Sequence, residues 1–388
     1  MMLAGRATLV GRATLVGSLT LVGNFPTSAA LPTESALPRG NVLSTGSAHA
    51  LPRGNVLPTG SAHALPTGGI LPTRGARPSG SNQSLPAGVA RPAPVRTEVA
   101  PGIHLFRSAP YGDIGLDGNS VAIISNDGVL VFDTNGTPSA AAAVLAEIRA
   151  LTSQPIRFIV NSHWHWDHWY GTEVYTRAFP AVTPVPPELP RLQKALADGR
   201  FFLDQKKHVQ HTLPTLTYTS RLTLHLGDRE IQVLHHDRAV TPGDSFLYLP
   251  KEKIVITGDL LVNPISFALS SYPSSWLRTL EFIDGLDATL IVPGHGEPLR
   301  DKRLLHATMG VFRELLRQGA AARQRALDAD AARAEIMPSL RELRTQITGD
   351  VPAANNAFEI QLVDWFLHRA YDELTGPLTD AIAPIPLK

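Results

Sequence analysis

No cysteine occurs anywhere in the 388 residues. Disulfides, thiolate metal sites, iron–sulfur clusters and cysteine nucleophiles are therefore excluded, and any metal must be held by His, Asp and Glu. Net charge is nearly absent as well: 35 Lys and Arg face 34 Asp and Glu, leaving +1. That balance argues against a strongly electrostatic binder of nucleic acid or of a membrane surface. No stretch approaches the ~20 apolar residues of a membrane-spanning helix. Gly-x-Ser-x-Gly does not occur, and no Gly-x-Gly-x-x-Gly follows a predicted strand. The serine-hydrolase elbow and the dinucleotide loop are thus both missing. Length alone allows roughly two to three structural units.

Scarcity is also uneven along the chain. Residues 1–100 contain 8 Arg and 2 Glu but neither Lys nor Asp, a net +6, and their only aromatic residue is Phe25. The remainder carries 27 basic and 32 acidic residues, a net −5. Those first hundred residues hold 11 Pro and 13 Gly and repeat themselves. GRATLV stands at 5–10 and 11–16, and ALPRGNVL at 36–43 returns at 50–57, a period of 14. Such sequence has little to bury against its ordering entropy and reads as a disordered, low-complexity tail over 1–98. His49 and His63 recur with the repeat and read as passengers. Residues 1–30 resemble a weak export signal, interrupted by Arg12. Localisation stays open between cytoplasm and periplasm.

Ordered structure is expected from near Val99. Val121–Ile124 and Gly128–Phe132 read as strands joined by an Asp127-Gly128 turn. Thr137-Pro138 opens an alanine-rich helix to about Leu151, and 155–160 is a short apolar strand. Further strands are predicted within 217–236, at Ser245–Leu249, Ile254–Thr257 and Ala288–Val292, with a helix over Ser274–Leu286. From Lys302 to about Leu374 the pattern is helical, broken near Met337-Pro338 and over Gly349–Pro352. Phe358, Leu362, Trp365, Phe366 and Ala370 suit a helix packed on the body or on a partner subunit. Many strands with interspersed helices indicate a layered α/β body over 99–300 and a helical extension over 301–388.

The stretch that carries chemistry follows the strand at 155–160: Asn161-Ser162-His163-Trp164-His165-Trp166-Asp167-His168. Extended backbone would put His163, His165 and Asp167 on one side and His168 on the other. A loop at a strand end can aim two imidazoles at one metal and a carboxylate–imidazole pair at a second. Trp164, Trp166, Trp169 and Tyr170 either wall an apolar cleft or pack the loop against the body. Phe267, Tyr272 and Trp276 offer a second wall. Ser274 or Ser275 suits a helix N-cap.

His-x-His-x-Asp-His resembles the signature of the metallo-β-lactamase-fold metallo-hydrolase superfamily, and the resemblance extends over about 100–300. It is carried further by Asp133 in Val-Phe-Asp-Thr-Asn, by Gly258-Asp259 after a strand, and by Gly294-His295-Gly296. The resemblance implies a four-layer αββα sandwich. It implies two metal sites: His163 and His165 at the first, and Asp167, His168 and His295 at the second. Asp259 would touch both, and Asp133 would hold a ligand histidine or the loop. One expected ligand is absent. The family places a His before Thr-x-Gly-Asp, where this chain has Val240. His235, His236 or Asp237 could substitute, or the first site could be weak, or waters could complete it.

The implied activity is that of a metal-dependent hydrolase, with one or two zinc ions and iron as an alternative. A bound metal lowers the pKa of water towards ~7 and supplies hydroxide for attack on an ester, thioester, lactone or lactam-type bond. Asp167 is the candidate catalytic residue, orienting that water or accepting its proton. The partner is a small-molecule substrate, with neither nucleic acid nor a membrane span, and a homo-oligomer is compatible. Two other readings remain: a mononuclear iron dioxygenase on the same scaffold, and a non-catalytic metal-binding protein.

Overall fold

A computed structural model of the chain describes residues 93–108, 117–178, 183–184 and 216–378. The repeats, His49, His63, the export-like segment and most of 180–215 lie outside the described residues, as does the disordered tail expected over 1–98 except its last six residues, of which Val95 onward is strand. The chain divides into Met1–Arg74 and Gly75–Lys388, and every described residue belongs to the second unit.

Two sheets form the centre of that unit. Strands β1 (Val95–Ala100), β2 (Ile103–Arg107), β3 (Ser120–Ser125), β4 (Gly128–Phe132), β5 (Ile156–Val160) and β6 (Thr183–Pro184) are hydrogen-bonded in that order. The second sheet runs β11 (Leu290–Pro293), β10 (Ile254–Gly258), β9 (Phe246–Leu249), β8 (Arg229–Leu234), β7 (Arg221–Leu226). The β1–β2 hairpin starts at Val95, before the expected onset at Val99. Elsewhere the predicted strands appear within a few residues of their expected ends.

Side-chain alternation assigns each sheet its two faces. Leu130 and Phe132 of β4 join Ile254 and Ile256 of β10 in an apolar layer between the sheets. Val129 and Val131 face the other way, onto Ala141, Val144 and Ile148 of α1 (Pro138–Leu151) and Tyr175 of α3 (Thr172–Ala178), with α2 (Trp166–Trp169) between those helices in the chain. Val255 and Ile291 face α4 (Pro273–Asp284) and α5 (Arg303–Gln324) through Trp276, Leu280, Phe312 and Leu315. Strands β4 and β10 are buried throughout because each is covered on both faces. The architecture is the αββα sandwich.

The helical extension continues through α6 (Ala329–Ile336), a 3₁₀ turn Met337–Leu340, α7 (Arg341–Thr348), α8 (Pro352–Ala357), a π-helical segment Phe358–Asp364 and α9 (Trp365–Thr375). Pro338 tightens the chain into the 3₁₀ turn rather than ending the helical run. Gly349 ends α7 in the left-handed conformation at φ 58°. A break that sequence periodicity missed falls before α6, where the Asp328 side chain accepts from Ala331 N at 2.8 Å. Phe358, Leu362 and Phe366 are fully buried against the body.

Topology gathers the chemistry at one edge. Strands β4 and β5 are parallel, and so are β10 and β11. Asp133 follows β4, residues 161–168 follow β5, Asp259 follows β10 and His295 follows β11. The carboxyl ends of parallel strands are where α/β sheets place ligand sites.

Candidate metal centre

The structure brings the six residues singled out as ligands into two adjoining clusters. The ligand atoms of His163, His165 and Asp259 lie within 4.8 Å of one another, and so do those of Asp167, His168 and His295. Asp259 stands between them: Oδ2 is 3.8 Å from His163 Nε2, while Oδ1 is 3.3 Å from both His168 Nε2 and His295 Nε2. Asp167 Oδ2 lies 3.2 Å from His295 Nε2 and 3.6 Å from His168 Nε2.

The local backbone differs from the extended loop expected. It is extended only as far as His165 (φ −66°, ψ 139°), and Trp166–Trp169 then form a helical turn. Asp167 and His168 are consecutive on that turn, which aims both at His295. Trp169 and Tyr170 are buried, with Trp169 Nε1 donating to Trp164 O at 3.0 Å, so these two pack the loop. Trp164 and Trp166 stay half-buried beside it. Of the proposed second wall only Phe267 reaches the site, its ring edge-on to His165 at 6.0 Å. Tyr272 and Trp276 are buried instead, Trp276 within the core beneath the helices. Neither Ser274 nor Ser275 caps α4; its first turn is held by Glu373, which accepts from Ser274 N at 3.1 Å and Ser274 Oγ at 2.7 Å.

Asp133 organises the ring nitrogens from behind. Its backbone is left-handed at φ 59°. Oδ1 accepts from Ser162 N at 2.6 Å, and Oδ2 accepts from Ser162 Oγ at 2.8 Å and from His168 Nδ1 at 2.8 Å. Ser162 Oγ spends its one proton on Asp133, so it accepts from His163 Nδ1 at 2.8 Å. His295 Nδ1 donates to Asp117 O at 3.1 Å. Three rings therefore carry their Nδ1 proton outward and turn Nε2 towards the clusters, the arrangement that prepares a histidine for a cation. Asn119 fixes the His295 turn, donating from Nδ2 to Pro293 O at 2.9 Å and Gly296 O at 3.0 Å.

Burial holds His163 well below the usual histidine range, with the neighbouring His168 and His165 adding to it, and burial lowers His165. Burial opposes charge on His168 too, but Asp259, Asp167 and Asp133 outweigh it and hold the ring well above its usual range. The same contest, against Asp259 and Asp167, pushes His295 up to about 10. Asp259 is held well below its usual range, burial being outweighed by His168 and His295. A set of buried anions thus faces the clusters and attracts positive charge.

The donor set fits a metal ion. His163 Nε2, His168 Nε2 and Asp259 Oδ1 are buried with no hydrogen-bond partner. Buried polar atoms left so cost ~1–3 kcal/mol each, and three of them converge here. Nitrogen and oxygen donors without sulfur suit zinc and other first-row divalent ions. A third group holds exposed Asp330 and His368 with half-buried Asp364, and Arg333 lies 3.8 Å from Asp330 and 3.4 Å from Asp364. It reads as an ion-pair network.

No residue near Val240 in sequence joins either cluster. His235 Nδ1 lies 2.8 Å from Asp244 O, His236 stacks on Phe282 at 4.6 Å, and Asp237 pairs with Arg278 at 2.7 Å. Val240 is fully buried in the core.

Fold and site together define an αββα sandwich with two adjoining His/Asp clusters at one edge of its sheets. Residues 113–295 match the family model described as "Metallo-beta-lactamase superfamily". Over that span the chain is similar to the metallo-β-lactamase superfamily, whose members are mostly hydrolases. A curated relative, the linear primary-alkylsulfatase of Pseudomonas sp. (strain ATCC 19151), is 20% identical over 230 residues. The match covers 49% of this chain and 43% of that protein, so the chain spans less than half the relative's length. A metallo-β-lactamase from Pontibacter korlensis is 21% identical with a TM-score of 0.48, covering 57% of this chain and 99% of that one. For the DIM-1 metallo-β-lactamase the values are 20%, 0.46, 57% and 98%. Among the described residues no helix is long and apolar enough to cross a membrane.

Proposed function

We propose that the two clusters bind divalent metal, zinc foremost, and that the chain is a metal-dependent hydrolase of a small-molecule ester, thioester, lactone or lactam-type bond. His163, His165 and Asp259 would hold one ion, and Asp167, His168 and His295 a second, with Asp259 shared. The observation that carries the reading is the convergence of two buried, unpartnered imidazole nitrogens, of His163 and His168, on the Asp259 carboxylate, whose Oδ1 is itself unpartnered. When bound, the metal supplies Lewis acidity and lowers the pKa of water.

The chain's own residues do the rest. Asp167 sits beside His295 and His168, placed to orient a water and take its proton. Asp133, through Ser162 and directly, fixes the rings of His163 and His168. Half-buried Trp164 and Phe267 flank His165 and favour a substrate with an apolar portion. The name of the alkylsulfatase relative, together with those apolar neighbours, adds alkyl sulfate esters to the substrates worth testing.

Elemental analysis of the purified chain should return bound zinc. The matching assay offers ester, thioester, lactone, nitrocefin-type and alkyl sulfate substrates to wild type and Asp167→Ala. At least one substrate should turn over in wild type and lose most of its rate in the variant; equal rates in both would refute the hydrolase reading. Iron in place of zinc, with oxygen uptake on a persulfide, would select the dioxygenase alternative.

A further inference from the structure

Val240 removes an imidazole from the first cluster, but its backbone stays close to that cluster. Its carbonyl accepts from Ser270 Oγ at 3.0 Å, and the same Oγ lies 3.4 Å from His165 Nε2. Ser270 is buried, at 7% exposure. We propose that Ser270 Oγ is the protein ligand that replaces the missing histidine, completing a first site with His163, His165 and Asp259. The proposal rests on the metal-centre reading above.

Three observations support it. The first is spacing: two donors of one tetrahedral ion, each ~2.0–2.1 Å from it, stand roughly 3.4 Å apart. Ser270 Oγ and His165 Nε2 have that separation. The second is proton disposal. A hydroxyl has one proton and two lone pairs. Donation to the Val240 carbonyl uses the proton and leaves the lone pairs for a cation. Position 240 thereby still serves the site through its backbone.

The third is rigidity, since the segment around Ser270 is tied down on both sides. Ala268 N donates to Gln361 O at 2.9 Å, within the π-helical segment, a type of irregularity frequent at functional sites. Ser271 Oγ donates to Ala268 O at 2.8 Å, and Arg369 Nε donates to Ser271 O at 2.9 Å. Tyr272 N donates to Ala239 O at 2.7 Å, beside Val240. A serine held this firmly is preorganised as a ligand.

A neutral hydroxyl is a weaker donor than imidazole, so the two sites should differ in affinity, the Ser270 site being the weaker. The full chain is stripped of metal and titrated with Co(II) against a chromophoric chelator, as wild type, Ser270→Ala and Ser270→Cys. Wild type is expected to bind two ions, one more weakly. Ser270→Ala should weaken that one by ~10–100-fold and leave the stronger unchanged. Because the native chain has no cysteine, a thiolate-to-cobalt charge-transfer band in Ser270→Cys can arise only at position 270. Circular dichroism checks that both variants fold. Unchanged affinities in Ser270→Ala, or cobalt binding by Ser270→Cys without that band, would overturn the assignment while leaving the metal centre standing. A wild type that binds no cobalt would overturn both.

Discussion

Replacing Asp133 with Asn changes one atom and tests how the ring nitrogens are set. Asn is among the few residues that tolerate a left-handed backbone, so φ 59° is no obstacle. The difficulty lies in the hydrogen bonds. If the amide nitrogen takes the place of Oδ1, it meets the Ser162 backbone N–H at 2.6 Å, a donor that cannot reverse. If it takes the place of Oδ2, it meets Ser162 Oγ and His168 Nδ1. Those groups can reverse, so this orientation wins. His168 must then carry its proton on Nε2. Ser162 Oγ, now accepting from Asn, donates to His163 Nδ1 and sends that ring's proton to Nε2 as well.

Both protons would end up on atoms that face the clusters. Loss of such an outer partner weakens metal binding by ~10–100-fold, and here each cluster contains one affected ring. The expected result is therefore a loss of that size at both sites, about 1.4–2.7 kcal/mol each. The fold should persist, because Asn fills the same buried volume. The measurement is competition with a chromophoric chelator on folded protein, using zinc. Affinities within about threefold of wild type, against the ~10–100-fold expected, would show that Asp133 does not set the tautomers.

Gly294→Ala would drive a Cβ into Asp259 Oδ1 and the Gly258 backbone. It should remove metal from both clusters and cost ~1–3 kcal/mol of stability as overpacking; an unchanged metal count would contradict the central placement of Asp259. Arg369→Ala deletes the bond to Ser271 O and the guanidinium 5.7 Å from the Tyr272 ring. Urea midpoints should fall by the equivalent of ~1–2 kcal/mol, and no fall would mean that α9 does not clamp the segment. Asp237→Asn should leave the metal count unchanged, because that carboxyl is held by Arg278; a lost ion would make it a ligand. Burial opposes the Asp237 charge, but the Arg278 hydrogen bond outweighs it and depresses the pKa. Its stabilisation, ~0.2–1 kcal/mol for such a surface pair, is present above the unfolded value near 3.9. It is lost as pH falls through the folded value, so wild type and variant should converge in urea denaturation at low pH; a constant gap would refute the ion pair.

Much of this site lies in short linear motifs, and that is why it could be read. Strand ends place Asp133, the 163–168 loop, Asp259 and His295 at one edge of the sheets; glycine flags Asp259 and His295, dense histidine flags the loop, and Asp133 is marked only by the family resemblance. The α1 start was legible for the same local reason: Thr137 accepts from Ala140 N at 3.2 Å ahead of Pro138. What stayed hidden depends on contacts between distant segments. Ser270 meets Val240 across 30 residues and His165 across 105, and a lone serine before a helix looks only like a cap. Asn119 acts on carbonyls more than 170 positions away. The His-x-His alternation suggested a longer extended run than exists, because nothing in it announces the turn at Trp166. Nearness in sequence pointed to His235–Asp237 as substitutes. Asp244 O, Phe282 and Arg278 engage them instead.

The matched family span ends at His295, yet the His165 side of the centre is built with help from beyond it. Trp365 packs edge-on against Phe267 at 4.7 Å, and Phe267 in turn meets His165. Gln361, Arg369 and Glu373 bond to Ala268, Ser271 and Ser274 respectively. One helical segment therefore touches the loop at four places, while the second cluster is held from within the matched span by Asp133 and Asp117. The two halves of the centre have different supports. A change in the extension should reach substrate fit and the first cluster before it reaches Asp167, His168 and His295. The departure at Val240 falls on the same half. The first cluster thus has two supports: Asp133 of the sandwich holds His163 through Ser162, and the extension holds the loop beside His165.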